Sequence, residues 1–394
     1  MPTKPMKNGL HVLGFFKSPI SSVSSFFHRY TPPVKILLAM SGGVDSSVCA
    51  FLLKEAGHDV IGVRFALWND PLAPAHAQIL PNKCCTTEAA FRTQQVASSL
   101  GIPLHVVNLE RDFKRIVGAR YLKELRLGLT PNPCVNCNRD LKFSSLLALA
   151  KKLHCDGVAT GHYARIAKRT VEGKPVFRLL QAKDKTKDQS YYLYRLGQNA
   201  LSKILFPLGA LEKKNVLSLA RHFGVPIDEQ YRESQDLCFF PEKSPQAFYG
   251  RYLKKELREG SIVHRDGTKV GTHRGLPLYT IGQRRGLGIG GLKIPLEVVG
   301  KDMRRCRLIV AERDTEQAKT IRVKDLTWTS APPANRAILT CRTRSLSKKI
   351  RGSLTFRGKA GVFTPIRPLP LQSPGQSLVL YRGEEVVGGG FIAP

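Results

Sequence analysis

Val34-Lys-Ile-Leu-Leu-Ala-Met-Ser-Gly-Gly-Val-Asp-Ser-Ser47 reads as a strand, a glycine turn and the start of a helix. Val34 to Ala39 form a short, mostly apolar run, which is what a parallel strand covered on both faces requires. Ser46 to Ala56 place Val48, Phe51, Leu52 and Leu53 near helical spacing, and Gly57 supplies a stop. Between the two, Ser41, Gly42 and Gly43 carry no bulky side chain. Backbone N–H groups at the helix N-terminus can therefore approach an anion, and the helix dipole favours negative charge there. The turn lacks the lysine of the Gly-x-x-x-x-Gly-Lys-Ser/Thr loop and has Asp45 instead, a carboxylate that meets phosphate only through a metal ion. The stretch predicts a phosphate cradle at the carboxyl end of a central strand.

Outward from it, strands and helices alternate. Strands are expected over Asp59 to Leu67, Leu104 to Leu109 and Gly157 to Thr160; helices over Thr87 to Leu100, Arg111 to Gly128 and Lys142 to Leu153. This pattern predicts an α/β fold with a doubly wound parallel sheet and the ligand at the carboxyl ends of its strands, so that the Ser41 turn and Gly161-His162 share one crevice. Residues 208 to 229 read as further helix. From about Glu242 to Gly300 the chain is rich in Lys, Arg and Gly, and Arg251 to Arg258 form a basic run that could track phosphates. Beyond Ile309, short strands at Leu326 to Thr329, Ala337 to Arg342, Gly352 to Phe356 and Ser377 to Tyr381 are spaced as in a small barrel. The expected division is a basic leader (1–33), an α/β catalytic domain (34–238), a small basic middle domain (239–308) and a C-terminal β-barrel (309–394). Gly286-Leu-Gly-Ile-Gly-Gly291 fits Gly-x-Gly-x-x-Gly, but Lys293-Ile-Pro295 follows where a helix should begin, so it reads as a basic loop with Arg284 and Arg285.

Lys and Arg number 62 against 30 Asp and Glu, a net charge of +32 that points to a polyanionic partner, nucleic acid above all. No apolar run approaches the roughly 20 residues that span a bilayer, so no membrane partner is expected. The nine cysteines lack the regular spacing of a secreted disulfide scaffold and suit a reducing compartment. Residues 1–33 contain no Asp or Glu but have Lys4, Lys7, Lys17, Arg29 and the serine-rich Ser18 to Ser25. We read them as a disordered basic leader or an early start codon in a cytoplasmic protein, with an organellar transit peptide as the alternative.

The second dense motif is Thr130-Pro-Asn-Pro-Cys-Val-Asn-Cys-Asn138. Pro131 and Pro133 are expected to force an extended loop, leaving Cys134 and Cys137 on exposed backbone. Cys-x-x-Cys alone suits zinc, dithiol redox chemistry or iron–sulfur ligation. The lack of a second pair at zinc-ribbon spacing argues against structural zinc. A third cysteine, Cys238, lies in Glu233-Ser-Gln-Asp-Leu-Cys-Phe239. Cys84-Cys85, Cys49, Cys155, Cys306 and Cys341 are expected to be ordinary thiols, mostly buried.

Ser41-Gly-Gly-Val-Asp-Ser-Ser47 resembles the pyrophosphate loop of the ATP pyrophosphatases, which cleave ATP between the α and β phosphates and adenylate an acceptor. Taken with Asn132-Pro-x-x-x-Cys137-Asn, Ala159-Thr-Gly-His-Tyr163, Lys187-Asp-Gln-Ser-Tyr191, the Cys238 motif and Gly282-Gln-Arg-Arg-Gly-Leu-Gly-Ile-Gly290, the chain resembles the tRNA-specific 2-thiouridylases from about Val34 to Ile392. The resemblance implies a tRNA-uridine 2-sulfurtransferase that activates the wobble uridine with ATP and Mg²⁺, replaces its C2 oxygen by sulfur and releases AMP and pyrophosphate. It implies ATP contacts at Ala39, Met40, Ser41, Gly42, Gly43, Val44, Asp45, Ser46, Phe65 and Gly161. It puts the target base near Asn132, Pro133 and Cys134, and other tRNA contacts at His162, Lys187, Asp188, Gln189, Arg344, Ser345 and Gln376. Cys137 matches the nucleophile and Cys238 the persulfide carrier; Asp45 completes the catalytic set with Mg²⁺.

The chain departs from the better-known pattern at Cys134, where many members have aspartate. A third thiol makes two routes available. Cys134, Cys137 and Cys238 could ligate three irons of a 4Fe–4S cluster whose fourth iron carries sulfide, which is the expectation we prefer. The alternative is a persulfide cycle fed by a sulfur-relay or persulfide-donor protein and resolved as a disulfide. Beyond this family, an amide-forming synthetase with the same loop, or a non-catalytic iron–sulfur protein that binds the tRNA anticodon stem-loop, remain the other readings.

Overall fold

The computed structural model describes residues 33–68, 70–74, 86–226, 237–240, 242, 245–290, 294–313 and 315–394. The leader up to residue 32, Cys84-Cys85, Glu233 to Asp236 and the end of the expected 208–229 helix lie outside the described residues.

Five parallel strands carry the first part of the chain. In chain order come β1 (Lys35–Ala39), β2 (Asp59–Ala66), β3 (Leu104–Asn108), β4 (Gly157–Thr160), a hairpin β5–β6 (Ala164–Val171 and Lys174–Gln181) and a short β7 (Ile204–Leu205). The sheet order is β3-β2-β1-β4-β7. The chain therefore moves from β1 to one side, returns, and continues on the other side. That reversal makes the gap between the carboxyl ends of β1 and β4 the switch point at which a doubly wound sheet opens a crevice. Ile36, Leu37 and Leu38 are fully buried. Ile36 and Leu38 join the core on one face of the sheet and Leu37 the core on the other, as alternation along a strand demands.

Two local readings are corrected. Pro133 does not break a helix but starts one: Pro133–Asn136 runs on through a π-wound turn, Cys137–Phe143, into Ser144–Lys152. Proline suits the first helical position, where its missing N–H has no partner to lose. Cys137 is consequently 5% exposed rather than on open backbone. The helix expected from 208 begins only at Lys213 and runs to His222. Before it the chain passes so close to β5 that a Cβ on Gly209 would lie 1.8 Å from the Ala164 carbonyl oxygen, which a regular helix there could not permit.

The middle unit is a four-stranded sheet, Leu296–Asp302, Arg307–Glu312, Gly260–His264 and Lys269–His273 in order, around Ile262, Leu276, Tyr279, Val298 and Leu308. No helix follows the Gly286 to Gly290 loop, only the strand Leu296–Asp302, in agreement with its reading as a loop. Six C-terminal strands, Ile321–Trp328, Ala360–Pro365, Ile350–Arg357, Ile338–Arg342, Ser377–Arg382 and Glu385–Ile392, pair in that order. The last pairs back with the first, Val323 opposite Ile392, so the sheet closes into a barrel without edges.

The basic run at 251–258 is corrected in part. Arg251 neither lies in solvent nor tracks phosphate: Nε and Nη2 donate to Asp70 Oδ2 at 2.8 and 2.6 Å, and Nη1 pairs with Glu242 at 2.5 Å. Tyr252 donates to the other Asp70 oxygen at 2.6 Å, which docks this helix on the α/β domain.

Candidate active site

The cradle is preformed by its own side chains. Ser46 Oγ accepts from the Ser41 N–H (3.1 Å) and donates to the Gly43 carbonyl (3.0 Å), while Ser47 Oγ donates to that same carbonyl (3.1 Å). Gly42 has φ +76°, and a Cβ there would sit 2.2 Å from the Ala89 carbonyl oxygen, so only glycine fits. The helix Val44–Glu55 has Gly43 as N-cap and no side-chain cap. Its first N–H groups are thus left for an incoming anion. Gly161 brings the end of β4 against this turn, where an added Cβ would lie 3.1 Å from Ser46 N.

Asp45 Oδ1 accepts from Tyr163 Oη (2.8 Å) and from Lys213 Nζ (2.7 Å). Among the described residues its Oδ2 has no partner. One free carboxylate oxygen beside a phosphate cradle fits Mg²⁺, which is commonly held by one or two carboxylates and the substrate's phosphates.

A cavity of about 250 Å³ opens at the switch point, lined by Ser41 and Asp45 on one side, Phe65 and Leu67 from β2 and its end, and Lys142, Gly161 and His162 opposite. Burial, helped by Lys142, pushes the His162 pKa down to about 3, so its ring is neutral, with Nδ1 2.8 Å from Thr160 Oγ1. Gln189 also lines this cavity and accepts from the Tyr163 N–H (2.9 Å) through Oε1.

Cys137 belongs to an apolar cluster with Leu67, Trp68, Phe113, Tyr121, Phe239 and Phe240, and both Cys238 and Phe65 pack against it. Leu67 and Phe65 are shared with the nucleotide-sized cavity, so the cluster that holds two of the three thiols forms its wall. Burial raises the Cys134 thiol pKa, an effect partly opposed by Lys142. Among the described residues no three His, Cys, Asp or Glu side chains converge to hold a metal ion. The cluster expected on Cys134, Cys137 and Cys238 gains no support from this arrangement. Among the described residues none of the three is joined in a disulfide.

Comparison with known proteins gives these features a family. A family profile described as tRNA methyl transferase HUP domain matches residues 34–242, one described as tRNA methyl transferase PRC-barrel domain matches 246–312, and one described as aminomethyltransferase beta-barrel domain matches 318–392. A protein of Chloroflexus aurantiacus named tRNA-specific 2-thiouridylase MnmA is 42% identical over 360 residues, covering 91% of this chain and 98% of its own length. Proteins of the same name from Geobacter metallireducens and Roseiflexus castenholzii are 41% and 40% identical, each over 91% of this chain and 96% and 99% of their own. The chain belongs to the tRNA-specific 2-thiouridylase family.

Of the 2-thiouridylase residues expected at RNA, Gln376, Asn132, Ser345 and Asp188 make interactions within the protein. Gln376 Nε2 donates to the Thr130 carbonyl (3.0 Å), and the Thr130 N–H donates to the Pro374 carbonyl (2.8 Å), so the barrel clamps the segment that leads to Cys134. The Tyr191 hydroxyl donates to the Ser377 and Thr343 carbonyls (2.9 and 3.2 Å), with Asn132 also interacting with it and Ser345 with the Tyr192 hydroxyl. Arg344 is exposed on the barrel loop and faces the Gly282 turn of the middle unit. Lys187 is partly exposed.

Asp188 differs from its expected place at the surface. It is 1% exposed and accepts from Gln181 Nε2 (2.6 Å), Arg342 Nη1 (3.0 Å) and the Ala182 and Ser190 N–H groups (3.1 and 3.2 Å). A carboxylate this fully engaged orients its own loop. Asp188→Ala should cost about 3–5 kcal/mol in chemical denaturation by stranding buried Arg342. The salt slope of tRNA binding by the folded fraction should stay unchanged. A stable variant with a smaller slope would put Asp188 on the RNA after all.

Three site residues escaped the reading of the sequence: Lys142, Lys213 and the hydroxyl of Tyr163. Lys142 follows the Cys-x-x-Cys motif closely enough to have been a candidate. Nothing in sequence spacing marks Lys213, which reaches Asp45 from 168 residues away.

Proposed function

We infer that this chain catalyses ATP-dependent 2-thiolation of the wobble uridine of tRNA through an adenylated base, releasing AMP and pyrophosphate. The observation that carries this reading is the shared wall: Phe65 and Leu67 belong both to the phosphate-cradle cavity and to the apolar cluster of Cys137 and Cys238. Family profiles whose descriptions mention methyl transfer match the chain, yet an uncapped pyrophosphate loop with Asp45 serves adenylation, and paired thiols serve sulfur transfer.

The carbonyl at C2 of uracil is a poor electrophile. Attack of its oxygen on the α-phosphorus of ATP breaks the bond to pyrophosphate, releases the N3 proton and makes that oxygen part of a good leaving group. The cradle N–H groups of Val44, Asp45 and Ser46 face the phosphates, and Tyr163 and Lys213 hold Asp45 so that Oδ2 is presented. Asp45 would hold Mg²⁺, which would supply charge neutralisation for the departing pyrophosphate. A persulfide sulfur on one cysteine then adds to C2, and the C2–O bond breaks as AMP departs with its electrons. The second thiolate cleaves the S–S bond, leaving sulfur on the base and a disulfide that an external thiol reductant must reopen. Cys238 as carrier, Cys137 as nucleophile and Cys134 beside the base make up this assignment, with a persulfide-donor protein as partner. Arg344, Lys187 and the +32 charge supply attraction for the RNA backbone.

Among the described residues no helix is long and apolar enough to cross a membrane. The function is tested with tRNA carrying an unmodified wobble uridine. Given ATP, Mg²⁺ and a persulfide donor it should gain one sulfur, and without ATP none. ATP-independent thiolation, or none under complete conditions, would overturn the reading.

A further inference from the structure

We propose that Lys142 is a catalytic residue: its ammonium contacts the α-phosphate of ATP while the uracil oxygen is adenylated and remains with that phosphate as AMP leaves. This rests on the thiolation reading and assigns a group to its most highly charged moment.

Adenylation crowds negative charge at the α-phosphorus, between the cradle and the base, and the cavity must supply a cation there. Among the described residues lining it, the ionisable side chains are Asp45, Lys142 and His162. Asp45 is anionic and engaged, and His162 is held neutral by burial, with its pKa near 3. The other nearby cations do not line the cavity. Lys213 is bound to Asp45 at 2.7 Å, and Arg92 donates to the Gly42 carbonyl (2.9 Å) and pairs with Glu88. Among the described residues that line the cavity, Lys142 is the one that carries a positive charge.

Its place on the chain explains how one ammonium can serve both halves of the reaction. The turn Cys137–Phe143 is π-wound. In that winding residue i+5 stacks over residue i, whereas in an α-helix it would turn well away. Lys142 is therefore carried on the same side of the helix as Cys137, while Phe143 and Leu146 continue the cavity wall behind it. Its charge is felt at Cys134, where it favours the thiolate, and at His162, where it opposes protonation. Lys142 thus lines the cavity from the same turn that begins at Cys137. It keeps its protons throughout. It neutralises the α-phosphate as the O–P bond forms and the bond to pyrophosphate breaks, and again as the C2–O bond passes its electrons to AMP.

The test uses the full chain with saturating ATP, Mg²⁺ and tRNA, comparing wild type with Lys142→Met and Lys142→Arg. Removing one preorganised charge from a transition state costs about 10²–10³ in kcat. Lys142→Met should therefore lose about that much in single-turnover pyrophosphate release, with ATP affinity changed by less than about tenfold. Lys142→Arg should recover part of the loss, because charge is restored but its geometry differs. Saturating kcat at the wild-type level in Lys142→Met would overturn the proposal, as would a deficit confined to KM. If Lys142→Met fails to fold, Lys142→Arg decides: a rate no better than a neutral, folded Lys142→Gln variant counts against the charge. Wild-type enzyme that releases no pyrophosphate with tRNA would instead sink the thiolation reading itself, so the two failures are distinguishable.

Discussion

Asp45→Asn is expected to slow tRNA-dependent release of pyrophosphate by at least about 10³-fold, the loss of some 4 kcal/mol of transition-state stabilisation. Asparagine keeps an acceptor for Tyr163 Oη and Lys213 Nζ, so the turn survives, but the anionic charge on Oδ2 is gone. The cost should therefore appear in chemistry and in metal dependence. In wild type Mg²⁺ should tighten ATP binding, and in the variant calorimetry should show ATP affinity insensitive to Mg²⁺. Pyrophosphate release at the wild-type rate would remove Asp45 from the mechanism.

Cys137→Ala and Cys238→Ala are expected to abolish sulfur incorporation, by at least about 10³-fold, because each removes one of the two sulfurs a persulfide cycle requires. Their effect should divide the reaction in two. Adenylation does not use these thiols, so a single burst of pyrophosphate should persist within about tenfold of wild type. AMP should not follow, since nothing displaces it from the base. Cys137 lies in a well-filled cluster, where truncation to alanine removes little more than a sulfur atom, so folding is expected to tolerate it. An amide-forming synthetase would behave differently, with Cys238→Ala fully active. A variant that still thiolates would free that cysteine from its role.

The parts of this molecule that could be read from sequence are those whose physics is local. Val34 to Ser47 announced strand, turn and helix because a buried strand must be apolar and a phosphate turn must be small, and the structure reproduces them within a residue or two at each end. Four of the six barrel strands could be placed for the same reason, but Ala360–Pro365 and Glu385–Ile392 could not, and the closure through Val323 and Ile392 has no sequence signature. The thiol segment was misread because proline was taken as a breaker where it occupies the first turn of a helix, and that error hid the π-wound turn that orients Cys137 and Lys142. Asp188 looked like an RNA contact by its place in Lys187-Asp-Gln189; its partner Arg342 is 154 residues away and invisible to spacing.

The most direct test of an adenylated base follows one oxygen atom. With oxygen-18 at C2 of the wobble uracil, a single turnover with ATP and a persulfide donor should deliver the label to the phosphate of AMP, one labelled AMP per thiolated tRNA. Label found in water, or in pyrophosphate, would contradict the account.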